Sequence, residues 1–205
     1  GIQVSVEDLI GERVQIALLA FVSVFAALCL LLPFAAIREV WRAIPYKGRA
    51  ATYFAALGIG FMFFEVSLIQ MLTLFLGYPT YSLSVTLFGL LVFSGIGSLA
   101  SGAYRSERNR ALTVLLVCLA ILTVFYQVGM GVVVDRFVGA PLGWRIALTI
   151  ALIAPLGLCL GAFMPLGLAT VATVTEHKRE FVAWAWAVNG FFSVISAILS
   201  TILAM

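Results

Sequence analysis

The chain has 205 residues, of which 63% are hydrophobic and only 10% are charged, whereas soluble domains carry roughly 25% charged residues. This composition excludes an ordinary soluble globular domain. The net charge of +3 is small and spread over the chain, so it does not indicate a nucleic-acid partner. The sequence predicts an integral membrane protein whose main partner is the lipid bilayer.

Apolar runs recur along the whole chain, and several reach or pass the roughly 20 residues that a helix needs to cross the hydrocarbon core. They lack the period-two alternation of a membrane β-barrel, so helices are the spanning elements. We predict an all-α polytopic transmembrane helix bundle that forms one domain over residues 1–205. Its six spans are 14–36, 51–76, 81–104, 111–133, 144–171 and 181–205.

The connectors between these spans differ in charge and in length. Most lysines and arginines fall in residues 37–50, 105–110 and 173–180, three connectors that lie on one side of the membrane. The positive-inside rule predicts that this side is cytoplasmic. On the other side, Gly77 and Pro79 predict a tight turn over 77–81, and 132–145 is expected to lie at the interface as an amphipathic segment.

Glu65 is the most informative single residue, because it lies deep within the apolar stretch 53–76. An ionised carboxylate at bilayer depth costs roughly a few kcal/mol on insertion scales. One interpretation is a site for a proton, a cation or a polar ligand group. The other is a protonated glutamate that bonds to a neighbouring helix. Ser67, Gln70 and Thr73 make this span the most polar one, although Gln70 points about 140° away from Glu65.

Asn189 is the second polar residue at depth, and it precedes Gly190. An asparagine in lipid needs partners, and we expect Gly190 to let another helix approach closely. Interhelical packing is the favoured role, with a ligand contact as the alternative. Glu65, Gln70 and Asn189 are therefore the candidate ligand or proton-site residues.

The span 144–171 contains two prolines, Pro155 and Pro165, which are candidates for helix breaks. Broken membrane helices often line binding sites, whereas a kinked packing helix is the plainer interpretation. Gly157 and Gly161 form a face of small residues four apart. The segment 94–102 in span three is also rich in small residues, so we expect both segments to pack against helices.

Nothing in the chain indicates a catalytic, metal or cofactor site. The three cysteines lie inside apolar runs and show no metal-ligand spacing, and the single histidine, His177, lies in a polar connector. We therefore predict a non-enzymatic chain with no metal and no cofactor.

Five segments give the chain a family resemblance: 54–70 (FAALGIGFMFFEVSLIQ), 76–84 (LGYPTYSLS), 93–98 (FSGIGS), 161–167 (GAFMPLG) and 184–190 (WAWAVNG). Together they resemble the membrane half of bacterial fused transporter/spermidine-synthase-like membrane proteins. The resemblance implies the inner membrane of a bacterium and a soluble, Rossmann-like, spermidine-synthase-like domain before Gly1. It also implies a further span after Met205, which fits our expectation that the chain belongs to a longer protein.

The function expected from this resemblance is a non-catalytic integral membrane module of a spermidine-synthase-like membrane protein. Such a module would bind or transport a small cationic or amphipathic molecule through Glu65, and the family name points to a polyamine. The alternative is a structural or accessory subunit of a larger membrane complex that contains other membrane subunits. A membrane-embedded enzyme is the least favoured class.

Overall fold

The computed structural model describes residues 13–25, 27–28, 46–104, 106–173 and 176–203. These residues are helical almost throughout and include no strand. A 3₁₀ turn, Ser101–Tyr104, follows the third helix. The helices are α1 (Arg13–Phe25), α2 (Lys47–Leu76), α3 (Pro79–Ala100), α4 (Arg108–Val128), α5 (Met130–Phe137), α6 (Leu142–Val171) and α7 (Lys178–Leu203).

Five of these helices, α2, α3, α4, α6 and α7, are long and apolar enough to cross a membrane. The apolar helix α1 is shorter. Residues 26 and 29–36 of the predicted span 14–36 lie outside the described residues. The chain is therefore an all-helical, multi-pass membrane protein with five candidate spanning helices among the described residues.

Two boundaries differ from the sequence prediction in an informative way. Helix α2 begins at Lys47 rather than at 51, because long basic side chains can extend a helix into the headgroup region while their charges stay in water. The predicted span 111–133 is two helices, since α4 ends at Val128 and α5 begins after Gly129. Helix α5 is amphipathic, with Met130 buried and Asp135 exposed.

The predicted turn at 77–81 is confirmed. Gly77 has φ +89°, a left-handed conformation that glycine adopts without the penalty of a Cβ atom. Pro79 then starts α3, where its missing N–H costs no helical hydrogen bond. Ser82 Oγ, in the first turn of α3, donates a hydrogen bond of 2.6 Å to the Ile69 carbonyl of α2, which fixes how the chain reverses.

The described residues form two compact units, which we name by their place in the chain. The terminal unit comprises the described residues up to Val66 and those from Val171 onward, and the central unit is Ser67–Thr170. The core of the terminal unit includes Phe54, Phe181, Trp184, Ala185 and Val188. The core of the central unit includes Leu72, Phe75, Leu90, Ile153 and Leu156.

Glycines set the spacing between α3 and α6 in the central unit. A Cβ built on Gly161 would overlap the Ser94 carbonyl, and one on Gly97 would overlap the Leu158 carbonyl. A Cβ on Gly157 would come within 2.7 Å of Phe93 Cβ. The structure thus confirms close helix packing for Gly157 and Gly161 and, in the segment 94–102, for Ser94 and Gly97.

Candidate functional site

Glu65 lies in the interior of α2, about 27 Å from its N-terminal end and about 16 Å from its C-terminal end at the usual helical rise. Its side chain is half-buried. No hydrogen bond or ion pair joins its carboxylate to another of the described residues. A carboxylate at this depth is costly when charged and unpaired, so the position suits a proton or a cationic group.

Asn189, by contrast, has a definite partner within the terminal unit. Its Nδ2 donates a hydrogen bond of 3.2 Å to the Phe54 carbonyl, which links α7 to α2. Ser196 Oγ makes a second link, since it donates a hydrogen bond of 2.9 Å to the Ile59 carbonyl. These contacts place Asn189 in helix packing, the role that the sequence favoured.

The expectation for Gly190 was wrong as far as the described residues go, because a Cβ at that position would meet none of their atoms within 4 Å. Gly58 of α2 takes the expected role instead. A Cβ on Gly58 would overlap the Asn189 carbonyl and lie 2.9 Å from Ser193 Oγ. The sequence placed the close approach on the wrong helix because an asparagine beside a glycine does not reveal which backbone lies opposite.

Within the terminal unit, Asn189 lies far from Glu65. The carbonyl that Asn189 contacts, at Phe54, lies eleven residues before Glu65, a separation of about 16 Å along α2. Gln70 is exposed, and the helical period turns it about 140° away from Glu65. Glu65 therefore remains the candidate ligand or proton site without help from the other two.

Neither of the two helix-break candidates, Pro155 and Pro165, interrupts the helix, as the plainer interpretation of a packing helix expected. Helix α6 is continuous from Leu142 to Val171, with both prolines inside it. A proline removes one N–H donor and one helical hydrogen bond, and membrane helices tolerate this where neighbouring residues compensate. Pro165 is half-buried, whereas Pro155 is exposed and lines a cavity of about 840 Å³ in the central unit.

Sequence reasoning missed a polar group on α6. The guanidinium of Arg145 donates a hydrogen bond of 2.8 Å through Nη1 to the Phe75 carbonyl in the last turn of α2. Its Nε is buried and has no hydrogen-bond partner among the described residues. The sequence analysis counted Arg145 in the interfacial segment 132–145. Only its position on α6 relative to α2 could have indicated a bond to Phe75.

Two buried threonines in the central unit are also unusual. Thr86 and Thr149 are fully buried, and neither hydroxyl has a partner within the described part of the chain. Thr86 precedes Gly89 by one turn of α3, and Thr149 precedes Ile153 by one turn of α6; an ideal Cβ on Gly89 would lie 3.3 Å from Ile153 Cγ2. A buried hydroxyl without a hydrogen bond is costly.

The described residues offer no alternative centre for metal chemistry, since no group of three or more His, Cys, Asp or Glu side chains lies together in them. Two cysteines, Cys118 and Cys159, are free thiols. Comparison of the chain with protein-family models, curated proteins and solved structures gives no match. Function must therefore be argued from the chain's own residues. Among the sequence-predicted candidates, Glu65 has a carboxylate that makes no hydrogen bond or ion pair with the described residues.

Proposed function

We propose that this chain is a non-catalytic integral membrane module with six spans that binds or transports a small cationic or amphipathic molecule at Glu65. The observation that carries the proposal is the half-buried carboxylate of Glu65, which pairs with no other described residue. A cationic ligand would supply the missing counter-charge, and a charge-assisted hydrogen bond is about twice as strong as a neutral one.

The contrast with Asn189 supports this assignment. The amide of Asn189 is engaged with a backbone carbonyl, as expected for a polar group that holds two helices together. If Glu65 had the same packing role, its carboxyl group would be expected to have such a partner. A polar group at depth without a structural partner is a functional-site candidate by default.

The experiment is equilibrium binding of radiolabelled spermidine to the purified chain in mild detergent. We expect saturable binding that Glu65→Gln weakens about tenfold or more, since loss of one charge-assisted hydrogen bond corresponds to about 1.4 kcal/mol. The matched control is Glu180→Gln, which removes a carboxylate from the first turn of α7.

Saturable spermidine binding that Glu65→Gln leaves unchanged would end the proposal, and so would an absence of binding to the wild-type chain. Folding of each variant is checked by its helical circular dichroism and by its elution in size-exclusion chromatography. Uptake of spermidine into proteoliposomes then separates transport from binding, because a binding module gives no saturable accumulation.

A structural or accessory subunit is the second candidate. The close glycine contacts and the many exposed large apolar side chains, such as Leu74 at 81% and Leu99 at 82%, favour it, because exposed apolar surface can meet other helices as well as lipid. Such a subunit would co-purify with fixed membrane partners or with a spermidine-synthase-like domain, and Glu65→Gln would weaken that association instead of spermidine binding.

We also propose a bacterial inner membrane location with residues 37–50, 105–110 and 173–180 in the cytoplasm. The support is the concentration of basic residues in these connectors. The test is the reaction of single cysteines, introduced at Ser106 and Glu176 in a chain whose three native cysteines are replaced by alanine, with a membrane-impermeant maleimide in intact cells. Cytoplasmic positions stay unlabelled until the membrane is opened, and labelling in intact cells would reverse the orientation.

A further inference from the structure

A groove in the central unit has the shape of a site for a lipid chain. It has a volume of about 840 Å³ and is walled by the C-terminal end of α3, the 3₁₀ turn, α4 and α6. Its lining is mostly apolar, with Leu115, Leu122 and Leu158 among the residues that form it. The groove belongs wholly to the central unit and does not include Glu65.

The groove has the length that an acyl chain requires. Its lining residues on α4 run from Arg110 to Leu122, twelve residues further on, which is about 18 Å of helix. Half of the roughly 30 Å hydrocarbon core is about 15 Å. A groove of this length therefore extends from the interface to about the middle of the bilayer, which is the depth that one leaflet's acyl chains fill.

One end of the groove is polar and carries both signs of charge. Arg110 Nη1 lies 3.3 Å from Glu107 Oε2, and the two side chains are 81% and 64% exposed. Ser101 and Tyr104 line the same end. An exposed ion pair of this kind contributes only about 0–1 kcal/mol to stability, so both charges remain available to a ligand.

The local structure holds this charged end in place. The guanidinium of Arg108, next to the pair, donates a hydrogen bond to the Ala169 carbonyl near the end of α6. Deeper in the groove, Cys159 Sγ of α6 donates to the Leu115 carbonyl of α4 at 3.3 Å. The two bonds join α4 to α6 at two levels, so the walls of the groove are fixed relative to each other within this unit.

We propose that the groove binds one phospholipid with a zwitterionic, ammonium-bearing head group. A phosphate oxygen accepts a hydrogen bond from Arg110, the ammonium group donates to Glu107, and one acyl chain lies along α4 and α6. The adjacent positive and negative charges match the phosphate and the amine of such a head group, whereas an anionic lipid would satisfy Arg110 and leave Glu107 facing negative charge.

The test is native mass spectrometry of the purified chain after incubation with equal amounts of dioleoyl phosphatidylethanolamine and dioleoyl phosphatidylglycerol. We expect one retained lipid per chain, with phosphatidylethanolamine preferred about tenfold. Glu107→Gln should remove this preference, and Arg110→Gln should lower the retention of both lipids. Arg179→Gln, an exposed arginine on α7, is the matched control.

A second set of variants tests the groove itself. Cys118→Trp places a large side chain in the groove and should abolish lipid retention, whereas Ala120→Trp, at an exposed position of α4 outside the lining, should not. Equal retention of the two lipids by the wild-type chain would overturn the head-group assignment. Unchanged retention in Cys118→Trp, or no retained lipid at all in the wild type, would overturn the groove as a lipid site.

A measurement without substitutions guards against misfolded variants. Cys118 is an exposed free thiol that lines the groove, so a bound acyl chain should slow its alkylation by N-ethylmaleimide. Peptide mass spectrometry follows Cys118 in the delipidated protein with and without added phosphatidylethanolamine. We expect slowing of several-fold or more, and an unchanged rate counts against the proposal. Spermidine binding at Glu65 is scored separately, so the two proposals can fail independently.

Discussion

Two helix pairs of this molecule differ in how they are joined. In the terminal unit, the side chains of Asn189 and Ser196 on α7 donate to the Phe54 and Ile59 carbonyls of α2, beside one close backbone approach at Gly58. In the central unit, α3 and α6 meet through glycines whose missing side chains let backbone touch backbone.

This difference is a consequence of the solvent. In a bilayer, apolar burial gives little net drive for helices to associate, since lipid tails are as apolar as leucine. Association then depends on close van der Waals packing and on hydrogen bonds between helices. The α2–α7 pair combines the two, whereas the α3–α6 contact is crowded at Gly97, Gly157 and Gly161. A substitution should therefore lower the free energy of unfolding most where it disturbs a close backbone approach, and less where it removes one hydrogen bond.

The largest effect is expected for Gly161→Ala. The added methyl group would overlap the Ser94 carbonyl, and a backbone atom cannot move aside as a flexible side chain can. We expect a loss of about 2–3 kcal/mol in the free energy of unfolding, measured by titration with sodium dodecyl sulfate in mixed micelles.

Gly95→Ala is the matched control, because a Cβ there would meet no atom of the described part of the chain within 4 Å. Alanine is the better helix former by up to about 1 kcal/mol, so this variant should be as stable as the wild type or more so. If both variants lost stability equally, close packing of α3 on α6 would not be what holds this pair together.

A smaller effect is expected for Asn189→Ala. It removes the hydrogen bond to Phe54 but leaves the backbone approach at Gly58 intact. Interhelical hydrogen bonds in membrane proteins average about 0.6 kcal/mol and reach about 1.7 kcal/mol, so we expect a loss of about 1 kcal/mol in the same titration.

Gln70→Ala serves as the control for Asn189→Ala, since Gln70 is polar, lies on a spanning helix and is exposed. It should change the free energy of unfolding by less than about 0.5 kcal/mol. An Asn189 variant no less stable than the Gln70 variant would show that the α2–α7 pair does not depend on its side-chain hydrogen bonds.

The smallest effect is expected for Thr149→Val. Its hydroxyl is fully buried and unpartnered within the described residues, so replacing it with a methyl group of similar shape removes a desolvation cost and no bond. We expect unchanged or slightly higher stability. A clear loss, comparable with that of Asn189→Ala, would mean that a water molecule or a ligand bonds to Thr149 in the membrane.

Sequence reasoning identified the features that depend on one helix at a time. Hydropathy located the long apolar helices, and the breakers Gly77 and Pro79 located the turn between α2 and α3. The spacing of Gly157 and Gly161 correctly indicated a packing face. Each of these signals is local, because it follows from composition and period within one segment.

The features that it missed depend on which helices are neighbours. Gly58, and not Gly190, faces the backbone of the partner helix, and Arg145 donates to a residue that lies 70 positions earlier. For Pro155 the sequence left a broken helix and a packing helix both open, since the surrounding protein decides whether a proline ends a membrane helix. For Glu65, its position deep within an apolar stretch could be identified from the sequence, and its ligand is our proposal.

The hydrogen bond from Arg145 to Phe75 has a consequence for how the protein is made. The carbonyls in the last turn of α2 have no partners within the helix itself, and the side chain that serves one of them is synthesised 70 residues later. The hairpin of α2 and α3 is therefore synthesised without this cap, which forms only once the N-terminal part of α6 has left the ribosome.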